Sequence, residues 1–516
     1  MRLHRSLGLN SRIDVKATAL LAIALTSLIV CAARVIYLFD RRLTDDDQTV
    51  FWYAAHEFLH LRVREPCFYG QSYNTLLSGI PAALLVGIGV PEWLAVPVVA
   101  ISAGLTPWLL LAHLSWRSGK HWRASALVAA PLLLAPAYLM MLSLASYNEG
   151  LLLVTVAWWL GARSSGVSRA IATFLLVLGV VVSPNSILLA APVTWVLVRR
   201  WWQQGESKIP VAVGALLGVG VKLAISAFYA THPSYNLHPN WKTQFAWDRL
   251  ADALEHLPRH WGDLAPLPSL SWLHAAVIFV SALWLVRSRR WFYAAVLLGA
   301  LAVLFGSLGV TKVHDGTESI FFSYARMYLG LPLLTALALV LAGDEGCSVP
   351  RPIRRSATLG LLMLFALVAL YRQVSLKADV ERTMARPAPI AIPVATRHLL
   401  SECQLLDQLA QSEGVDWVFT AKTSVKAYGC SALSYGHRTF LFPAYERRTW
   451  LLEEASHAAV TQVMLAEAEP ELCSKISPSL SCKVVNRRFG AVVLSAKSPQ
   501  PAIDFARNAG LVVRPF

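Results

Sequence analysis

Charge is scarce in this 516-residue chain. Asp, Glu, Lys and Arg make up 15% of it and hydrophobic residues 56%. A soluble domain carries about a quarter charged residues, so the shortfall and a mean hydropathy of +0.50 point away from a soluble enzyme and toward a polytopic membrane protein. No GxGxxG or P-loop sequence occurs, and neither nucleotide-binding loop is assigned. None of the seven cysteines forms a CxxC or stands at zinc spacing from a histidine, which argues against a cysteine-held metal. The chain also lacks internal repeats and low-complexity tracts. Few charges fall inside its apolar runs, Lys222 being the main one. A transporter or flippase of lipid-linked sugars would place ionisable residues mid-span and repeat its halves, so that reading is secondary, as is a non-catalytic membrane scaffold.

Acidic residues are the scarcer sign, 31 against 46 Lys and Arg, for a net charge of +15. The basic residues gather in short segments between apolar runs: RSGKHWR (117–123), RRWWQQGESK (199–208), RSRR (287–290) and RPIRR (351–355). That is the positive-inside pattern, and it leaves no reason to invoke nucleic acid. With these loops in the cytoplasm, about eleven spans follow, in a multi-pass protein of the cell's inner (plasma) membrane. The first, about 17–39, follows a basic start (Arg2, Arg5, Arg12, Lys16) and lacks a clear cleavage site, so it is read as an uncleaved span. The segment YNTLLSGIPAALLVGIGVP is apolar enough to cross, but crossing would put RSGKHWR outside; it is expected to lie at the outer interface or re-enter. A straight third span is expected over about 124–143, a hairpin broken at Ser183-Pro184-Asn185, and a short amphipathic helix near Trp247 to Leu257.

Composition shifts near residue 375, dividing the chain into a transmembrane unit (1–374) and a small extracytoplasmic α/β unit (375–516). An amphipathic helix is expected over Thr396 to Gly414, and strands at VDWVF, RTFLF, VTQVML and the pair KVVNRR/AVVLSA. Cys403, Cys430, Cys473 and Cys482 lie in this tail. In an oxidising compartment they allow three pairings. Cys473 with Cys482 is favoured because they flank a short Ser/Pro loop; the alternative is buried thiols.

What stands out against this apolar background is TDDDQTVFWYAAHEF (44–58), three adjacent carboxylates just beyond the first span. They repel each other and are costly near lipid. One Asp suffices to cap the helix that follows; three are more than a cap needs. Asp46 or Asp47 is therefore a candidate general base, since a carboxylate of raised pKa can take a hydroxyl or amine proton. Glu149 in SYNEG opens the fourth span on the same side, with Asn148 beside it. Arg326 in SYARMYLGLP offers a planar fork suited to phosphate, flanked by Tyr324 and Tyr328. His314, Asp315, Glu318, His232 and His238 lie in outer loops and are secondary candidates.

These residues resemble the GT-C superfamily, polytopic glycosyltransferases that use polyprenyl-phosphate sugars and include protein mannosyltransferase and aminoarabinose transferase relatives. Asp46 and Ala54 keep the family's spacing between its acidic pair and a helical Ala, which maps Asp46 to the catalytic Asp and Asp47 to its neighbour, here in place of the commoner Glu. FYGQSY, with Tyr69, Gln71 and Tyr73, matches an aromatic-Tyr-Gly-Gln stretch. SYNEG lies where the second outer loop carries a polar or acidic residue. SYARMYLGLP resembles an Arg-Tyr-Leu-Leu-Pro segment with Met327 interposed, and the α/β tail is similar to that of some bacterial members. The resemblance implies inverting sugar transfer from a polyprenyl-phosphate donor to an extracytoplasmic lipid, glycan or protein acceptor. Asp46 would serve as base, Arg326 and Tyr324 would lie at the donor phosphate, and Glu149 would share the catalytic site. Tyr69, Gln71, Tyr73, Asn148 and His314 would contact substrate. The carboxylates would admit a divalent cation, Mg or Mn, without requiring one.

Overall fold

The computed structural model describes residues 15–163, 165–237, 243–343, 351–386, 393–469 and 471–513. The basic start Arg2, Arg5 and Arg12 and the candidate His238 lie outside them.

The apolar runs fold as helices because a bilayer offers no partner for backbone N–H and C=O groups. Five are long and apolar enough to cross: Val15–Asp40, Glu92–Arg117, Ile209–Thr231, Pro268–Arg287 and Tyr324–Ala342. The chain is a multi-pass membrane protein. The third expected span is not straight. His121–Leu133 and Pro136–Ser143 meet at 90°, and counting them as one span gives six. Pro136 forces this, because its ring bars the preceding residue from helical ψ; Ala135 sits at ψ 147° and Leu134 at 169°. The Ala135 N–H instead donates to the Ala265 carbonyl at 2.9 Å. Among the described residues these helices do not reach the expected eleven. Glu149–Gly161, Gly166–Val182 and Trp291–Ser307 are apolar but have only 13, 17 and 17 residues. At 1.5 Å per residue they span about 20–26 Å, less than the ~30 Å hydrocarbon core.

Small residues let two of these helices touch. A Cβ on Gly214 would sit 2.1 Å from the Ala170 carbonyl, so Ile209–Thr231 and Gly166–Val182 pack backbone to backbone. The segment read as interfacial forms only a nine-residue helix, Gly79–Gly87, too short to cross. It lies on helix Asp46–Leu59, where a Cβ on Gly79 would meet the Phe58 ring at 2.7 Å. The expected amphipathic helix appears as Trp247–Glu255.

After the long helix Arg351–Met384, which runs unbroken through residues 374 and 375, the chain returns to the acidic segment. Strand β1 (Leu43–Thr44) pairs antiparallel with β2 (Val394–Ala395). The Thr396 N–H and hydroxyl donate to the Arg42 and Asp40 carbonyls, each at 3.0 Å. Five further strands follow: β3 (Trp417–Thr420), β4 (Thr439–Leu441), β5 (Ala459–Ala466), β6 (Leu480–Asn486) and β7 (Ala491–Pro501). Their order is β4-β3-β5-β7-β6, parallel for β3 with β4 and β5, antiparallel for β5-β7 and β6-β7. Each expected strand segment contributes to this sheet. Helices Thr396–Ser412, Ser424–Leu433, Thr449–His457 and Ala502–Asn508 complete the C-terminal unit. Its core is shared: Phe51, Trp52 and Tyr53 of helix Asp46–Leu59 are buried together with Leu399, Cys403 and Tyr428.

Two disulfides join the four tail cysteines, Cys403–Cys430 and Cys473–Cys482. Unreduced, alkylated protein from native membranes should yield both cross-linked peptides by mass spectrometry; four alkylated thiols would refute the pairing. Closing the 27-residue loop between Cys403 and Cys430 constrains the unfolded chain by about 3–4 kcal/mol in the entropy model, so Cys403→Ser should lower the thermal midpoint measurably.

Candidate active site

The acid cluster resolves into one cap and one pair. Asp45 is the N-cap of helix Asp46–Leu59: it is extended, and its Oδ1 accepts from the Gln48 N–H at 2.9 Å. It is buried, and burial, followed by the charges of Asp47 and Asp46, pushes its carboxyl well above the ordinary range. Asp46 and Asp47 then occupy the first helical turn, where the helix dipole favours negative charge. Their side chains meet Arg447 of the C-terminal unit. Nη1 donates to Asp47 Oδ1 at 2.7 Å and Nη2 to Asp46 Oδ2 at 3.2 Å. The Ser424 hydroxyl lies 3.5 Å from the same Asp46 oxygen. Burial raises the Asp46 pKa, Arg447 opposes the rise and Asp47 adds to it; the balance is upward. A carboxylate held so is a better proton acceptor than one in water.

Two cations, Arg326 and Lys312, neighbour each other. Arg326 is buried, with its guanidinium 3.7 Å over the Phe322 ring and Nη1 donating to the Tyr147 hydroxyl at 2.9 Å. Its carbonyl accepts from Asn185 Nδ2 at 3.3 Å, so the broken hairpin at Ser183-Pro184-Asn185 helps seat it. Lys312 donates to the Tyr73 hydroxyl at 3.1 Å. Burial lowers its pKa to about 8, with Asp315 opposing, so it stays mostly charged at neutral pH. Tyr147 and Tyr73 each bond to one of these cations and feel Asp47 as well. Burial raises both phenols; Arg326 opposes the rise and Asp47 reinforces it in each.

The other candidates are distributed unevenly. Both Glu149 oxygens are engaged, Oε2 by the Thr75 hydroxyl at 2.7 Å and Oε1 by the Ser78 N–H at 2.6 Å; Glu149 fastens the turn that follows FYGQSY. Asn148 donates to the Leu142 and Ala100 carbonyls at 2.7 and 3.2 Å and ties helices together. Tyr69 is buried edge-on against Trp450 at 4.8 Å. Gln71 is half-buried on the same loop, its N–H bonded to the Phe68 carbonyl. Tyr324 packs against His260 at 5.1 Å. His314 points Nε2 at the Leu308 carbonyl, 3.0 Å away, Glu318 lies 3.4 Å from Arg259, and His232 stacks on Phe228 at 4.5 Å.

Among the described residues no group of three or more His, Cys, Asp or Glu is placed to hold a metal ion. The two carboxylates that would bind Mg or Mn are instead spanned by a guanidinium, so the donor set does not fit such an ion. Sequence reasoning missed three members of this constellation. Tyr147 stood inside SYNEG and Lys312 beside His314, both overlooked. Arg447, one of an arginine doublet in the tail, carried no signal of its partner.

No protein-family model matches the chain, and no curated protein matches its sequence. Two crystal structures of ArnT from Cupriavidus metallidurans share its fold. The apo structure aligns with a TM-score of 0.51 at 14% identity, and the structure bound to undecaprenyl phosphate with 0.53 at 13%; each alignment covers 93% of this chain and 97% of ArnT. The fold is ArnT-like.

Glu149 supports a specific prediction. Glu149→Ala leaves the Ser78 N–H and Thr75 hydroxyl without their acceptor and should cost about 1–3 kcal/mol. Glu149→Gln keeps a carbonyl for Ser78 and lets the Thr75 hydroxyl reverse, so it should unfold near the wild-type temperature and retain transfer. Loss of transfer by a stable Glu149→Gln would instead assign the carboxylate a catalytic charge.

Proposed function

We propose that the chain is a glycosyltransferase that moves a sugar from a polyprenyl-phosphate donor to an acceptor outside the cytoplasm, with inversion at the anomeric carbon. The observation that carries this reading is that Tyr73 and Tyr147 each feel both Arg326 and Asp47, the neighbour of Asp46, while Lys312 bonds to Tyr73 and Arg326 to Tyr147. A GT-C-like fold, one of whose structural neighbours holds undecaprenyl phosphate, supports it. So does the positive-inside pattern of the basic loops, on which the acid pair and the C-terminal unit (375–516) are read as lying on the outer side.

In this reading the acceptor hydroxyl or amine approaches Asp46. Its proton passes to the carboxylate as its lone pair attacks the anomeric carbon. The bond from that carbon to the phosphate oxygen breaks, and its electrons leave with the phosphate. Arg326, a buried planar fork, and Lys312, a half-buried point charge, stabilise the departing negative charge in surroundings where such contacts are strong. Asp47 keeps the field at Asp46 negative. Glu149, Asn148, Tyr69 and Gln71 shape the site by holding its loops. The acceptor is a lipid, a glycan or a protein; a panel of polyprenyl-phosphate sugars incubated with purified protein, followed for loss of sugar, identifies the donor.

Asp46→Asn keeps size and leaves the Asp45 cap in place but cannot take a proton. Transfer should fall at least ~10²-fold while thermal stability in detergent and donor binding persist. Asp45→Asn should do far less, because Asn caps nearly as well. Near-normal transfer by Asp46→Asn, or a larger loss from Asp45→Asn, would overturn the assignment of the base.

Arg326→Ala should weaken undecaprenyl phosphate binding strongly, and Arg326→Lys should restore part of it, since charge returns without the fork. Equal affinity in wild type and Arg326→Ala would reduce Arg326 to a packing residue on Phe322.

A further inference from the structure

Arg447 stands 400 residues from its partner Asp47, and several contacts fix where it points. Its N–H donates to the Tyr428 hydroxyl at 3.2 Å, while that hydroxyl donates to the Tyr445 carbonyl at 2.9 Å. The next residue, Arg448, is fully buried and forks onto Glu446 at 2.8 and 3.0 Å. Tyr428 rides on helix Ser424–Leu433, which the Cys403–Cys430 disulfide ties to helix Thr396–Ser412. The Arg447 guanidinium lies 5.1 Å from the Phe68 ring centre and 5.6 Å from that of Tyr445. Each terminal nitrogen meets a different carboxylate.

We infer that Arg447 is a positioning residue for transfer: the C-terminal unit spans Asp46 and Asp47 with one buried guanidinium fork, so the catalytic centre is complete only when that unit is docked on helix Asp46–Leu59. The inference rests on Asp46 being the base. The groups facing Asp46 are Asp45 and Asp47 from its own segment, and Arg447, Tyr428 and the Ser424 hydroxyl from the C-terminal unit. Tyr73, Tyr147 and Arg326 lie beyond Asp47. A carboxylate beside another carboxylate has its ionisation disfavoured, and a cation bonded to it offsets that; at Asp46, Asp47 is the repelling neighbour and Arg447 the offsetting cation. Taking Arg447 away therefore shifts Asp46 toward its protonated form, and the base weakens at pH values where the wild type works.

The test is the pH dependence of kcat/KM in full-length protein, with a polyprenyl-phosphate sugar that the wild type consumes. Arg447→Gln should move the acid limb upward by at least about one pH unit; Arg447→Lys should move it less. Adding Asp47→Asn to Arg447→Gln should bring the limb back down, since the repelling neighbour is gone. Binding of undecaprenyl phosphate should change less than about twofold. An unmoved limb in Arg447→Gln and Arg447→Lys, or a loss of undecaprenyl phosphate binding as large as the loss of transfer, overturns the inference. If Arg447→Gln yields no folded protein, Arg447→Lys and Asp47→Asn alone decide it, with upward and downward shifts expected respectively. Asp46→Asn runs in parallel. Wild-type transfer by that variant sinks the base reading itself, whereas an inactive Asp46→Asn with an unmoved limb in the Arg447 variants sinks only the role of Arg447.

Discussion

Three carboxylates in consecutive positions at the start of one helix demand compensation, and the way each is compensated organises this protein around them. Asp45 turns inward and caps. Asp46 and Asp47 are left facing outward from the first turn and meet a guanidinium carried by the other end of the chain. That contact holds only if the C-terminal unit sits on helix Asp46–Leu59. The β1–β2 pairing, the Thr396 bonds to Arg42 and Asp40, and the shared core of Phe51, Trp52, Tyr53 and Tyr428 all serve the same docking.

The membrane helices deliver the opposite charge. Arg326 arrives on the 3₁₀ turn Tyr324–Tyr328 that opens the last candidate span, with its guanidinium on Phe322 and its carbonyl held from the Asn185 break. Lys312 comes from the preceding loop and is anchored on Tyr73. Tyr73 in turn belongs to the loop that Glu149 fastens through Thr75 and Ser78. Tyr73 and Tyr147 each feel both Arg326 and Asp47, so groups of opposite charge act on the same two phenols.

Particular elements show how much of this could be read beforehand. TDDD ahead of an aromatic helix announced both a cap and a surplus of acid, and the surplus is real. The strands of the tail followed from alternating β-branched and aromatic residues. Pro136 was visible too, but the 90° turn it imposes was not, since a proline states where a helix must stop and not which way the chain leaves. The count of spans suffered for a related reason. Hydropathy measures whether a segment tolerates lipid, while helix length, set by breakers and packing, measures whether it can cross.

Candidate residues divide along the same line. Asp46, Asp47 and Arg326 were chosen by chemical type; the fold joins Asp46 and Asp47 through Arg447 and seats Arg326 on Tyr147 and Phe322. Glu149, Asn148 and His314 were chosen by type and place, and the fold turns them to backbone and hydroxyl partners. Sequence alone determined that the chain lives in a membrane, that its tail is α/β, and which helix start carries excess negative charge, because composition and local pattern depend on near neighbours. Which carboxylate caps, which cation answers the other two, and that the answer comes from Arg447 were decided only by tertiary structure. Contacts across 400 residues leave no trace in spacing or periodicity.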